Sequence, residues 1–149
     1  MLTSKPILAY MVSIGTLVGK MAFHGGTHVI RNKSTNTMKI KIGKTIFTAT
    51  LYDNPTAKTF AALLPITLNL TDLNGNEKYV DLPVNLPVDD YKPHKINDGD
   101  IMLFGSSTLV LFYQSFTTPY RYTMLGKMDD TSGIEAAFGS GNVELTFEQ

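Results

Sequence analysis

From Met38 onward the apolar residues of this chain recur at every second position in short runs, and a period of two marks one face of a sheet rather than the stripe of a helix. MKIKI sets Ile40 and Ile42 on one side. TIFTATLY alternates Phe47, Ala49 and Leu51 with Thr48, Thr50 and Tyr52, and NVELTF near the end repeats the pattern with Val143, Leu145 and Phe147. Gly43-Lys44 makes a tight turn between the first two runs, so they read as a half-buried hairpin. ITLNLTDLNGNEKYVDL holds a second hairpin about Asn74-Gly75, with Leu68 and Leu70 on one arm and Val80 and Leu82 on the other. DIMLF and TLVLFYQ, joined by GSS, are so apolar that the second is predicted to be covered on both faces. YTMLGKM adds a further strand.

The alternation is broken by LYDNPTAKTFAALLP, Leu51 to Pro65. Asn54 is suited to accept a backbone N–H at a helix start, and Pro55 fits the first helical position, where its missing N–H costs nothing. Ala57, Phe60, Ala61 and Leu64 then form an apolar stripe until Pro65 stops it, which predicts a helix of about three turns. DDTSGIEAAFG reads as a second short helix or turn. PVNLPVDDYKPHKINDGD, with Pro83, Pro87 and Pro93, is a long surface connection and a candidate rim for a site, and SFTTPYRY is another irregular connection. About eight short antiparallel strands and two helices point to a mainly β architecture, a closed barrel with helices over its open ends, because closure removes exposed sheet edges.

A chain of 149 residues is long enough to bury a core without staples. It has no cysteine, which removes thiolate nucleophiles, Cys-ligated zinc and redox dithiols. Of its 13 basic side chains four (Lys5, Lys20, Arg31, Lys33) precede residue 38, and none of its 13 acids does. The body is therefore mildly acidic, and without a basic run among the aromatics it is not expected to bind nucleic acid. Residues 1–37 read as an N-terminal extension, a linker, a decayed targeting segment or an upstream start, with the domain at 38–149. The apolar run 7–18 is shorter than the ~20 residues that span a bilayer, so no stable membrane span is expected. The cytoplasm is favoured, with export the alternative if residues 1–37 act as a signal.

Few residues suggest chemistry. Arg121 is the sole arginine after residue 37, and flanked by Tyr120 and Tyr122 it suits either a pocket cation or a solvated loop position. His24 and His28 have helical spacing, but intervening glycines oppose a helix, and His94 reads as an exposed loop histidine. Asp89-Asp90, Asp98 with Asp100, and Asp129-Asp130 are better explained by turns than by a cation site, since NDGD lacks the later glutamate of a calcium loop. GSS and GSG lack the lysine of a phosphate loop, and no serine sits in G-x-S-x-G. No cofactor and no metal are expected.

The order of pieces, a strand running into D-N-P-T-A, a middle hairpin, INDGDIMLFGSSTLVLFY and YTMLGKMDD, resembles the small bacterial cyclophilin-like domains of uncharacterised function, over residues 38–148. The resemblance implies a closed eight-stranded antiparallel β-barrel with two short capping helices. Cyclophilins proper are peptidyl-prolyl isomerases with an arginine on the strand after the first helix, a pocket tryptophan and a histidine. Here ITLNLTDLNGNEKYVDLP has no arginine, the chain has no Trp, and Tyr122 stands about where the histidine would fall. Phe112 and Tyr113 match paired aromatics on a pocket strand. The expectation is a non-catalytic module that binds a peptide or small molecule in a lateral groove lined by Tyr52, Tyr79, Phe112, Tyr113, Arg121 and Tyr122. The alternative is a prolyl isomerase with Arg121 as a displaced cation. Relatives of this type resemble accessory modules joined to flavodoxin-like domains, so a redox-protein partner is implied by analogy alone.

Overall fold

The structure is a computed structural model that describes residues 36–149. The apolar run 7–18, His24 and His28, and nearly all of the expected extension lie outside the described residues. The elements are β1 (Thr37–Ile42), β2 (Thr45–Leu51), α1 (Pro55–Ala61), β3 (Ile66–Leu73), β4 (Glu77–Asp81), β5 (Lys95–Ile96), β6 (Asp100–Phe104), β7 (Thr108–Phe112), β8 (Phe116–Thr117), β9 (Thr123–Met128), α2 (Ile134–Phe138) and β10 (Val143–Glu148).

The eight longer strands close into an antiparallel barrel in the order β1-β10-β3-β4-β7-β6-β9-β2, which is the fold expected from the alternation. The short β5 and β8 pair with each other as a separate ribbon. Two glycine turns fall where the sequence puts them: Gly43 at φ +57° between β1 and β2, and Asn74 and Gly75 at φ +57° and +66° between β3 and β4. At Gly126, where β9 meets β2, an added Cβ would lie 2.7 Å from the Thr50 carbonyl oxygen, so these strands approach more closely than a side chain permits.

Inward positions alternate as the sequence predicts. Ile40, Ala49, Leu51, Leu70, Leu109, Leu111, Leu145 and Phe147 form one buried cluster. Side-chain burial of this kind stabilises by about 1.5–3 kcal/mol per large residue, an upper range because unfolded chains already bury part of their surface. α1 covers one end, its Phe60 fully buried with the ring edge-on to Phe147 at 5.8 Å. Phe138 of α2 packs edge-on to Tyr113 at 5.7 Å. Because Phe147 pairs with Ile66 at the start of β3, and Tyr113 follows β7 beside the far end of that strand, the helices cap opposite ends.

α1 is shorter than the stripe to Leu64 predicts. After Ala61 the chain tightens into three-residue hydrogen bonds, Leu63 N–H to Phe60 O at 2.9 Å and Leu64 N–H to Ala61 O at 3.2 Å. A residue preceding proline is crowded out of the helical region, so Pro65 acts before its own position.

One inward position is charged. Lys78 is fully buried, and its ammonium group donates to Gly139 O (2.8 Å) and Gly141 O (2.6 Å) while lying 3.0 Å from Asp72 Oδ1. The Tyr113 hydroxyl donates to the same carboxylate at 2.6 Å. Three partners use all three N–H donors, so the buried charge is satisfied and ties the β3–β4 hairpin to the turn after α2. No helix among the described residues is long and apolar enough to cross a membrane.

Candidate functional site

With Leu109 and Leu111 of β7 turned inward, Val110 and Phe112 must face outward, and they begin a second core on the outside of the barrel. Met102 of β6 and Tyr79 of β4 lie opposite Val110 in the two flanking strands. The β5–β8 ribbon and the segment after it fold over this patch, burying Ile96 and Tyr122 on it. β7 is thus covered on both faces, as its composition predicts.

Aromatic rings run across the patch in contact. Phe116 meets Phe112 at 5.7 Å, Phe112 meets Tyr122 edge-on at 5.6 Å, Tyr122 meets Phe104 at 5.7 Å, and Phe104 meets Tyr120 edge-on at 6.2 Å. Such contacts fix ring positions, each worth about 0.5–1.5 kcal/mol beyond burial. Beside them a groove of about 500 Å³ opens between the β3–β4 turn, β4, the β6–β7 hairpin and the 116–122 segment.

Its polar groups include two carboxylates among hydroxyls and side-chain amides. Along β4 the outward positions are Glu77, Tyr79 and Asp81, all lining the groove. Asp81 accepts from Thr108 Oγ1 at 2.6 Å. Burial pushes the Glu77 carboxyl up, and the charge of Asp72 pushes it further. The Tyr122 phenol is also raised, first by burial, with the Glu77 charge adding to it. Asn76, at the turn, has a buried side-chain oxygen without a hydrogen-bond partner. Among the described residues no Lys, Arg or His lines the groove.

Of the six residues named from sequence, Tyr79, Phe112 and Tyr122 come together in this outer patch. Tyr113 lies through the sheet among the interior residues, because neighbours on a strand point to opposite faces. Tyr52 follows β2 and is absent from the groove lining; its phenol is raised by burial, then by the charges of Asp100 and Tyr91. Arg121 turns to Asp90, with Nη2 donating to the Asp90 carbonyl oxygen at 2.8 Å and Nε 3.3 Å from its carboxylate, both side chains about half exposed.

The proline-rich connection rims a different hollow. Pro87, Val88, Asp89 and Tyr91, with Asn54 and Thr56 of the α1 start, surround about 330 Å³, fastened by Thr56 Oγ1 donating to Pro87 O at 2.6 Å. Two of the paired aspartates serve turns, Asp100 accepting from Asn97 N–H at 2.8 Å and Asp130 from Ser132 N–H at 2.9 Å, whereas Asp129 accepts from Thr50 Oγ1 of β2 at 2.6 Å. No three His, Asp or Glu side chains are grouped for a metal ion among the described residues.

Sequence reasoning does not single out Glu77, Phe104 or Phe116, and it brings in Tyr120 only as a neighbour of Arg121. Glu77 was within reach, since it shares strand parity with Tyr79. The others lie on β6, β8 and the segment after it, whose meeting depends on how two connections fold over the barrel, and local pattern carries no signal of that.

Comparison with known proteins bears on this arrangement. The model of the cyclophilin-like family matches residues 40–148. The solution structure of a hypothetical protein from Archaeoglobus fulgidus is similar with a TM-score of 0.50 at 16% identity, covering 76% of this chain and 94% of that one, a likeness of fold alone. No curated protein matches.

Proposed function

This chain belongs to the cyclophilin-like family, and from that premise we propose that it is a non-catalytic binding module that holds a peptide or small ligand in the aromatic groove on the outside of its barrel. The observation that carries the reading is a groove of about 500 Å³ walled by packed rings and lined, among the described residues, by no cation. Ring faces that are fixed before a ligand arrives lose little entropy on binding, which favours recognition. Prolyl isomerisation asks for something else, a positive donor at the amide as its resonance is lost, to offset part of a barrier of ~20 kcal/mol. Arg121 is engaged with Asp90 instead.

The test is a titration of the full chain with pooled short peptides and metabolites, followed by NMR of the ring signals of Phe116 and Tyr122. The expected outcome is a saturable shift, with no acceleration of proline exchange on an Xaa-Pro peptide. Rings unmoved by every pool would remove the binding reading. Accelerated exchange that disappears in Arg121→Ala would replace it with catalysis.

A further inference from the structure

Resting on the reading of the groove as a binding site, we propose that its occupant is the basic side chain of a peptide, an alkylammonium or guanidinium group set between the rings of Phe104, Tyr120 and Tyr122 and the carboxylates of Glu77 and Asp81.

The charge inventory comes first. Two carboxylates face a groove to which no basic side chain among the described residues contributes. Glu77 is partly buried, and among the described residues it takes part in no ion pair. The nearest strongly held cation, Lys78, is its sequence neighbour and therefore points through the sheet, where three acceptors use its donors. An anionic ligand would meet uncompensated carboxylates. A neutral one would strip water from Glu77 without replacing it, whereas a cation supplies both the counter-charge and the donors.

The rings agree with the carboxylates. An aromatic face is the negative part of its quadrupole, and a cation held over Tyr or Phe gains most where water is excluded. A carboxylate beside several ring faces therefore discriminates by charge as well as by shape.

The surroundings choose a peptide over a free amine. Leu73, Phe104 and Tyr120, 42%, 46% and 60% exposed, rim the same groove. A small amine would leave that apolar rim wet, while residues flanking a lysine or arginine would cover it. Closure leaves the barrel strands no free edge for a peptide to pair with by its backbone, and the two-residue strands of the β5–β8 ribbon offer only a short one. Side-chain insertion is the stronger route to affinity.

The experiment titrates the full chain, with labelled Phe and Tyr rings, against four probes: a capped Leu-Lys-Leu peptide, its counterparts with norleucine or glutamate in place of the lysine, and n-butylamine. The lysine peptide is expected to shift the Phe104, Tyr120 and Tyr122 signals saturably, about tenfold more tightly than the norleucine peptide, the scale of one well-desolvated cation–ring contact. Glu77→Gln is expected to remove most of that advantage. Added salt should weaken the lysine peptide and not the norleucine peptide in the unaltered chain, which keeps the claim testable if the variant folds poorly. Equal or tighter binding of the norleucine or glutamate peptide overturns the cation and leaves the groove as a binding site. Butylamine binding as tightly as the lysine peptide overturns the peptide. Signals that no probe moves overturn both this inference and the reading beneath it.

Discussion

Tyr113 shows how much one hydroxyl contributes when a strand residue faces inward. Its phenol is pushed up to about 12, by burial first and then by the hydrogen bond to Asp72. The folded chain therefore holds this proton past the unfolded value of ~10. The associated stability is complete below pH ~10 and is lost as pH rises through the folded value. The same bond is the largest cause of the lowered Asp72 value, ahead of Lys78. That contribution is present above the ordinary carboxylate range and is lost as pH falls through the folded value. Tyr113→Phe is thus expected to flatten both limbs of a plot of melting temperature against pH, measured by far-ultraviolet circular dichroism. Tyr52, Tyr91 and Tyr122 are raised as well, so some alkaline slope should persist. Unchanged limbs on both sides would show that the Tyr113–Asp72 bond carries no such linkage. Lys78 was legible in principle, since it shares parity with Val80 and Leu82, but a lysine at an inward position is read as solvated until its acceptors are seen. Two of those acceptors are carbonyl groups some sixty residues away, Gly139 and Gly141.

Among the elements, α1 depends on a residue with two separate partners. The Asn54 side-chain oxygen accepts Ala57 N–H at 2.8 Å, and its amide donates to Met124 O on β9 at 2.9 Å. Cap and tether are separable. Asn54→Ala should cost about 2 kcal/mol, roughly 1 for the cap and 1 for the lost tether. Asn54→Asp should keep the cap and lose the tether, with chemical denaturation as the measure; equal losses in the two variants would mean that the cap contributes nothing. The cap, the proline after it and the stripe to Phe60 were all legible, because each acts over four residues or fewer. So were the barrel strands, whose alternation records which face is wet. The β5–β8 ribbon was not: two residues from one connection pair with two from another, too few for any period to register. The groove shares that fate, since Phe116 and Tyr120 reach it only through the folding of those connections.

At the scale of the molecule, the barrel accounts for a folding unit whose start differs slightly from the sequence boundary at residue 38. Leu51 N–H donates to Asn36 O at 2.7 Å, and β1 begins at Thr37, so the sheet uses two residues before Met38. We propose that residues 36–149 fold by themselves. They are expected to melt in one cooperative transition within a few degrees of the full chain by calorimetry, whereas a broad or much lower transition would show dependence on what precedes them. Closure has another result. β1 pairs with β10, Lys39 sits across from Glu148, and Lys41 reaches the Glu148 carboxylate at 2.7 Å. The first and last staves of the barrel are therefore neighbours, so a few linking residues would join them into a circle that could be cut open at the proline-rich connection, or let the whole unit be spliced into a surface turn of another protein without prying that turn apart.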